Sequence, residues 1–237
     1  MISASRMQAQ VQARRLSIIM PVLNEAEKVE HTLSLLSPLR ERGIEVIVVD
    51  GGSFDDTLRL AAPLSDRLLQ APAGRARQMN AGAVASSGEV LLFLHADTLL
   101  PDGMPEIVLD GLSRTGKVWG RFDIRIAGKP QMLRLVAVLM NMRSRLTGIM
   151  TGDQALFVRR NDFFEVGGFP GQELMEDIEI SRRLKRRSAP LCLRGPVITS
   201  GRRWERNGVW RTILLMGRLR LLYWLGVPCK KLARAYK

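Results

Sequence analysis

A carboxylate follows an apolar segment in the tripeptide His95-Ala96-Asp97. The preceding residues, 90–94, are all apolar and have the length of a buried strand. Open α/β sheets bind their ligands at the carboxyl ends of the strands. Aspartate oxygens are suited to Mg²⁺ or Mn²⁺ that carries a diphosphate. Asp97 is therefore predicted to hold a metal at the edge of a parallel sheet.

Three further polar segments occupy comparable positions in the chain. Residues 21–25 (Pro-Val-Leu-Asn-Glu) follow one apolar run, and residues 50–57, which begin Asp-Gly-Gly-Ser, follow another. Residues 175–177 (Met-Glu-Asp) begin the helical pattern of residues 175–187. Because the carboxyl ends of parallel strands meet at one edge, these segments are expected to meet around one site.

The pattern of apolar residues predicts the elements that position these segments. Strands are predicted at residues 16–20, 45–50, 67–70 and 90–94, and helices at 25–42, 55–62 and 75–86. This alternation is typical of parallel strands joined by right-handed crossovers. After residue 100, strands are predicted at 117–126 and 155–158, helices at 131–142 and 175–187, and a loop at 167–171.

Length and composition indicate one large core. The chain has 237 residues, 46% of them hydrophobic, which is enough for one domain with or without an extension. Cys192 and Cys229 provide neither a disulfide framework nor metal-ligand spacing, so a reducing, cytoplasmic location is expected. Residues 1–15 lack the apolar core of a signal peptide and are interpreted as a loose polar leader.

Positive charge is concentrated in the last quarter of the chain. Residues 182–237 contain 16 Lys and Arg and one acid, although the formal net charge of the whole chain is only +13. Residues 206–237 are interpreted as a basic amphipathic extension of a domain at 16–205. Within it, residues 212–227 are too short and too charged to span a bilayer. They either lie on an anionic membrane surface, giving a peripheral location on its inner face, or pack back on the domain.

The motifs, taken in order, resemble those of a known enzyme family. Pro-x-x-Asn-Glu, Val-Val-Asp-Gly-Gly-Ser-x-Asp-Asp-Thr, an Asp-containing triplet after a strand, and Glu-Asp are similar to the motifs of family 2 glycosyltransferases of GT-A fold. The resemblance extends from about residue 16 to about residue 187. His-Ala-Asp-Thr, Thr-Gly-Asp-Gln-Ala and Met-Glu-Asp-Ile-Glu resemble a small bacterial subgroup of that family.

The resemblance implies a fold and a reaction. The fold is an α/β structure with a mostly parallel central sheet flanked by helices, followed here by the basic helical extension. The reaction is transfer of a sugar from a nucleotide-diphosphate sugar, typically UDP-linked, to a hydroxyl acceptor of unknown identity. Inversion at the anomeric carbon and assistance by Mg²⁺ or Mn²⁺ are expected.

The resemblance also implies the residues of the donor site. The nucleotide-binding residues are expected to be Pro21, Asn24, Glu25, Asp50, Arg77, Asn80, His95 and Ala96. Asp50 would hydrogen-bond the base, and Asp97 would bind the metal. The family's Arg usually directly precedes the Asn, whereas here Gln78 and Met79 stand between Arg77 and Asn80. Arg75 is therefore an alternative to Arg77. His95 stands where the family commonly has Asp, and whether it contacts the metal is left open.

Asp177 matches the catalytic base of the family, with Glu176 beside it. A carboxylate in this role takes a proton from the acceptor hydroxyl as that oxygen attacks the anomeric carbon. The alternative is a pair of structural acids stabilised by the helix dipole. The acceptor side is predicted to contain Gly152, Asp153, Gln154, Arg203 and Trp204.

Two other functions fit parts of the sequence. A nucleotidyltransferase on a similar fold would need a Gly-rich loop with a Lys or Arg after the first strand, where residues 21–25 provide none. A non-catalytic basic protein would bind membrane or nucleic acid through residues 182–237. The preferred interpretation is the enzyme, with a nucleotide-sugar donor, an anionic membrane surface as a partner of residues 206–237, and no nucleic acid.

Overall fold

The structure is a computed structural model that describes residues 16–236, so the predicted leader at residues 1–15 lies outside the described residues. Eight strands form one sheet within the described part. They are β1 (Leu16–Val22), β2 (Glu45–Asp50), β3 (Arg67–Gln70), β4 (Val90–Phe93), β5 (Thr98–Leu99), β6 (Trp119–Ala127), β7 (Phe157–Arg159) and β8 (Leu191–Ser200). Their order across the sheet is β3-β2-β1-β4-β7-β6-β8-β5.

Ten α-helices accompany this sheet in residues 16–236. They are α1 (Ala26–Glu41), α2 (Thr57–Ala61), α3 (Arg75–Ala85), α4 (Met104–Thr115), α5 (Met132–Thr147), α6 (Arg160–Glu165), α7 (Glu176–Lys185), α8 (Arg202–Asn207), α9 (Val209–Trp224) and α10 (Cys229–Tyr236). Short 3₁₀ turns occur at Ala62–Leu64 and Gly152–Gln154.

The first four strands are parallel and buried on both faces. In the register, Ile19 lies beside Ile47 on one side and Phe93 on the other. Successive side chains point to opposite faces, so alternate residues contribute to different cores. One core combines Ile18, Met20, Val46, Val48 and Leu92 with Val29 and Leu33 of α1. The other combines Ile19, Ile47, Val49, Leu91 and Phe93 with Met79 and Ala83 of α3.

The second half of the sheet is mixed. β7 is antiparallel to β4 and to β6, β8 is parallel to β6, and β5 is antiparallel to β8. Six of the eight described strands therefore run in one direction, and the predicted mostly parallel sheet flanked by helices is confirmed. Helix α4 and strand β8 were not predicted from the sequence. The Gly195-Pro196 pair in β8 is atypical of a strand interior, and the first half of this strand is only partly buried.

A short connection forces the sheet to curl. Only residues 94–97 link β4 to β5, which lie four strand spacings apart in the sheet. A flat sheet would place them about 19 Å apart at ~4.8 Å per strand, whereas five extended residue steps span at most ~18 Å. A turn closed by the Thr98 amide and the His95 carbonyl (3.1 Å) shortens the reach further. The sheet curls, and Asp97 lies where its two halves meet.

The C-terminal helices pack on the domain. Leu219 of α9 and Leu232 of α10 are buried in a cluster with Ile149 and Ile178. The predicted helical character of residues 212–227 is thus present, in a helix that begins at Val209, and one side of it is covered by the domain. Within residues 16–236, no helix combines the length and the apolar character needed to cross a bilayer.

Close packing around β6 gives a test of this arrangement. A Cβ added at Gly120 would lie 2.2 Å from the Leu191 carbonyl oxygen and 2.4 Å from the Phe157 ring. Because a neighbouring strand's backbone cannot move aside, Gly120→Ala should lower the free energy of unfolding by about 2–3 kcal/mol. Gly217→Ala, in α9 with open space around it, should instead raise that energy by about 0.5–1 kcal/mol. Urea denaturation of both variants measures the difference, and equal stability of the two would contradict the packing described.

Candidate active site

A cavity of about 540 Å³ lies at the carboxyl ends of β1 and β8 and beside the residues that follow β4. The predicted site residues that line it are Pro21, Glu25, His95, Ala96, Asp97, Gly152, Asp153, Glu176, Asp177, Arg203 and Trp204. Three of the four polar segments identified from sequence, residues 21–25, 95–97 and 175–177, therefore meet here, together with the 3₁₀ turn at Gly152–Gln154 and helix α8, whereas residues 50–57 do not line the cavity. Asn24, Asp50, Arg77, Asn80 and Gln154 are not part of the lining.

Asp50 and Asn24 organise the loops that border the cavity. The Asp50 carboxylate is fully buried and accepts hydrogen bonds from the amides of Gly52 (2.8 Å) and Ser53 (3.0 Å). The Asn24 side-chain oxygen accepts a hydrogen bond from the backbone amide of Phe54 (3.0 Å). The backbone amide of Asn24 donates a hydrogen bond to Ser53 Oγ (2.9 Å). These contacts tie the loop after β1 to the loop after β2. The predicted contact of Asp50 with a nucleobase stays a prediction.

Asn80 and Gln154 support the site from behind. The Asn80 side chain forms two hydrogen bonds of 2.9 Å with the backbone of Phe169, one as donor and one as acceptor. Gln154 is fully buried, and its side chain accepts a hydrogen bond from the Thr151 amide (3.1 Å). Arg75 and Arg77 are both exposed at the start of α3, but only Arg75 lines the cavity. Of the two arginines considered from sequence, Arg75 is the one that faces this space.

Asp97 and Glu25 are the carboxylates suited to a metal. Burial is the largest influence on Glu25 and raises the pKa of its carboxyl; the charge of Asp97 acts in the same direction, and Arg202 opposes both. Two neighbouring negative charges, one of them on a partly buried carboxylate, favour a cation between them. Within the described residues, no three or more His, Cys, Asp or Glu side chains cluster as a complete metal cage. This donor set fits an ion held by one or two carboxylates plus phosphate oxygens.

His95 contacts Asp153 across the cavity. Nδ1 of His95 lies 3.4 Å from Oδ1 of Asp153. Burial on its own would raise the pKa of Asp153, but the hydrogen bond and charge of His95, followed by the charges of Arg75 and Arg203, lower it overall. Asp153 is therefore kept ionised, and His95 is oriented by its carboxylate.

Asp177 and Glu176 stand at the first turn of α7 as two adjacent acids. Burial, reinforced by the negative charge of Glu176, raises the pKa of Asp177 to about 6. Three groups limit this rise: Arg75, the Ile178 amide (2.8 Å) and the Gly152 amide (3.2 Å). Arg75 also lies 3.4 Å from Glu176. The result is a carboxylate that is ionised near neutral pH and has an elevated proton affinity, as a general base requires.

Backbone strain is concentrated around the cavity. Among the described residues, the only non-glycine residues with positive φ are Asn24 (54°), Ala155 (47°) and Met175 (66°). Met175 lines the cavity, Asn24 lies between two lining residues, and Ala155 follows the 3₁₀ turn. Such conformations cost about 1–3 kcal/mol each and persist where surrounding contacts hold them. Their placement indicates that the loops are shaped for the site rather than for stability.

Two residues that line the cavity were not predicted from the sequence. Arg220 of α9 and Tyr236 of α10 face the cavity, and the Arg203 guanidinium stacks 3.6 Å from the centre of the Tyr236 ring. The available signal was the position of Arg220 four residues after Met216, which places both on one side of α9. Their approach to the cavity depends on the fold-back of two terminal helices, which residue spacing alone does not specify.

Comparison with known proteins gives a consistent set of matches. A family model described as "Glycosyl transferase family 2" matches residues 17–169. Poly-beta-1,6-N-acetyl-D-glucosamine synthase of Staphylococcus epidermidis is 24% identical over 250 residues, which cover 94% of this chain and 60% of that protein. The chain thus spans only about three fifths of the length of this curated relative.

Solved structures show the same fold. S. aureus TarS 1–349, in complex with UDP-GlcNAc, matches with a TM-score of 0.62 and 17% identity, over 78% of this chain and 58% of that one. Glucosyl-3-phosphoglycerate synthase of Mycobacterium tuberculosis, in complex with Mn²⁺, UDP and glucosyl-3-phosphoglycerate, matches with a TM-score of 0.59 and 19% identity, over 81% and 74%.

The raised pKa of Asp177 predicts a pH-dependent stability difference. Between about pH 4 and pH 6 the folded state binds more protons at this site than the unfolded state, so its contribution to stability falls as pH rises. Asp177→Asn removes this pH-dependent contribution, because asparagine does not titrate. Relative to the parent protein, the variant should therefore gain roughly 2 kcal/mol in unfolding free energy between about pH 4.5 and 7.5.

Urea denaturation at the two pH values measures this gain. Glu173→Gln, an exposed carboxylate before α7 that does not line the cavity, is the matched control and should show no such gain. A stability difference for Asp177→Asn that is independent of pH would show that Asp177 titrates normally.

Proposed function

The chain belongs to glycosyl transferase family 2, and we propose that it transfers the sugar of a UDP-linked donor to an acceptor hydroxyl, with inversion and with a divalent metal. The observation that carries this proposal is the meeting of Asp97, Glu25 and Asp177 around one cavity at the carboxyl edge of the sheet. Membership of the family favours sugar transfer over nucleotidyl transfer and over a purely basic binding protein.

The donor side is assigned to the loops after β1 and β4. Pro21 and Glu25 border the cavity from one side, and His95 to Asp97 from the other. Asp97, with Glu25 beside it, would hold Mg²⁺ or Mn²⁺, which supplies neutralisation of the diphosphate leaving group. Two similar solved structures support this assignment: TarS in complex with UDP-GlcNAc, and glucosyl-3-phosphoglycerate synthase in complex with Mn²⁺ and UDP.

Asp177 is assigned as the base. Its oxygens are fixed by the amides of Gly152 and Ile178, so the carboxylate is held in place before the acceptor arrives. The proton of the acceptor hydroxyl passes to Asp177 as the oxygen attacks the anomeric carbon, and the bond to the diphosphate breaks. Arg75 lies 3.4 Å from Glu176, and its positive charge limits the rise in the pKa of Asp177 that burial and Glu176 cause.

Two substitutions separate donor binding from chemistry. Asp97→Asn should weaken binding of UDP with Mn²⁺ at least roughly tenfold, because a charged metal ligand is lost. Asp177→Asn should leave that binding within about twofold and lower UDP release at least ~100-fold, because only the base is lost. Calorimetry with UDP and Mn²⁺ measures binding. Release of UDP is measured with the UDP-sugar that raises the melting temperature of the parent protein most.

The exposed Asp102→Asn and Glu173→Gln are the controls, since neither residue lines the cavity. Both should bind UDP with Mn²⁺ and turn over the donor like the parent protein. Full turnover by Asp97→Asn and Asp177→Asn would remove the assigned mechanism.

A second function, membrane association, is favoured by the exposed side of α9. Trp210, Leu214, Leu221 and Trp224 are each more than half exposed, and their spacing places them on one helix face. On α5, Leu135, Val138, Leu139, Met142 and Leu146 form a similar exposed stripe. The stripe on α9 lies within the basic C-terminal segment, and an exposed apolar stripe in such a segment is typical of helices that rest on anionic lipid.

Flotation with vesicles containing anionic lipid tests this association. The parent protein should float at low salt and less so at high salt, because the charge contribution is screened. The double variant Trp210→Ser, Leu214→Ser should reduce the partition coefficient at least about tenfold, since both side chains lose apolar contact. Leu35→Ser, a half-exposed leucine on α1, should float like the parent. Absence of the parent from the vesicle fraction at low salt would contradict the proposal.

A further inference from the structure

An apolar groove opens from the active-site cavity between two helices. It has a volume of about 320 Å³ and runs between α5 and α9, where Val136, Leu139, Met140 and Ile213 form its walls. Asp153, Arg203, Trp204, Met216, Arg220 and Tyr236 line both the groove and the cavity. The two spaces are therefore continuous, and the groove leads outward from the acceptor side.

Three arginines line the groove, and two of them, Arg203 and Arg220, also line the cavity. Arg143 comes from α5, Arg203 from α8 and Arg220 from α9. Arg143 Nε and Nη2, Arg203 Nε and Arg220 Nε are buried and have no hydrogen-bond partner within residues 16–236. None of the three arginines has a carboxylate within ion-pair distance in that part of the chain. Buried guanidinium N–H groups left unpaired are costly, so this cluster is arranged for an anion.

The cluster is also close to the assigned base. The charge of Asp177 acts on Arg143, although burial is the larger effect and lowers the pKa of that guanidinium. The Arg203 guanidinium is fixed against Tyr236, whose backbone carbonyl accepts a hydrogen bond from Nη2 (3.2 Å). Guanidinium groups bind phosphate oxygens through paired N–H donors. An anion held here would place a neighbouring hydroxyl beside Asp177.

We infer that the acceptor is an anionic amphiphile: a phosphate ester whose headgroup carries the accepting hydroxyl and is held by Arg143, Arg203 and Arg220, and whose single long apolar chain lies in the groove between α5 and α9. The inference rests on the proposed function, because it assigns the acceptor of the same site. Charge complementarity selects the anion, and the apolar walls select the chain. Arg143 lines only the groove, which distinguishes this subsite from the donor side.

Binding of simple alkyl phosphates to the full chain tests the inference. The probes are decyl phosphate below its micelle concentration, butyl phosphate, decanol and inorganic phosphate, followed by calorimetry. Decyl phosphate should bind at least roughly tenfold more tightly than each of the others, because only it satisfies both the arginines and the groove. Saturating UDP with Mn²⁺ should not displace it.

Substitutions assign the contacts. Arg143→Gln and Arg220→Gln should each weaken decyl phosphate about tenfold, and Arg143→Lys should lose less than Arg143→Gln because the charge remains. Arg218→Gln is the matched control: this arginine is exposed on the same helix and lines neither space. Its binding should equal that of the parent. Circular dichroism confirms that each variant is folded, and the chain-length comparison on the parent protein stands without any variant.

Other outcomes would overturn the inference. Equal affinity for decyl phosphate and inorganic phosphate would mean an anion site without a chain subsite. Displacement by UDP with Mn²⁺ would assign the arginines to the donor. If UDP with Mn²⁺ binds but decyl phosphate does not, the acceptor inference fails while the proposed function stands. If UDP with Mn²⁺ fails to bind, the proposed function itself fails.

Discussion

The four-residue connection from β4 to β5 constrains most of the structure. Because residues 94–97 must join strands that are far apart in the sheet order, the sheet curls until its two halves meet at this link. The link is fixed from several sides: the Leu94 amide donates to the Ile19 carbonyl (3.0 Å), and Thr32 of α1 donates to the Ala96 carbonyl (2.6 Å). The same curl brings Thr199 and Ser200 of β8 opposite the loop after β1. A carboxylate at Asp97 is therefore positioned by the closure of the whole sheet.

Arginines compensate most of the negative charge of the acids that line the cavity. Acids that would be unfavourable when buried alone are kept near arginines: Glu176 with Arg75 (3.4 Å) and Glu25 with Arg202 (3.7 Å). The balance is incomplete at Asp177, whose proton affinity stays high, and the loops around it keep strained backbone at Met175. Unfavourable terms of this kind persist when they serve a site, because the remaining core supplies enough stability to tolerate them.

The sequence predicted the first half of the fold well for a physical reason. Strands β1 to β4 are buried on both faces, so their apolar runs are visible in the sequence, and the polar residues after them mark one sheet edge. The site residues predicted at those ends, Glu25 and Asp97, do line the cavity. Asp50 ends a buried strand just as clearly, yet its carboxylate is occupied by the turn amides of Gly52 and Ser53. A position at a strand end does not reveal which hydrogen bonds a side chain already makes.

The second half was harder to predict because its elements depend on contacts between distant segments. β8 contains Gly195 and Pro196 and becomes a strand only by pairing with β6 and β5. Choosing Arg75 over Arg77 required knowing which side of α3 faces α7. The role of Tyr236 depends on α9 and α10 folding back through a separate cluster around Leu219 and Leu232. Spacing within one helix gives the face on which a residue lies, but not the partner that this face meets.

The charges of the basic C-terminal segment also depend on the fold for the direction they face. The composition of residues 182–237 shows only that the segment is strongly positive. In three dimensions the charges divide, because α9 turns Arg220 toward the cavity while Arg218, two residues earlier, remains exposed. The inward arginines are partly desolvated, so each is worth more to a bound anion than an arginine in water. Net charge predicted an anionic partner, and the fold-back determines that part of this charge faces the cavity rather than the outer surface.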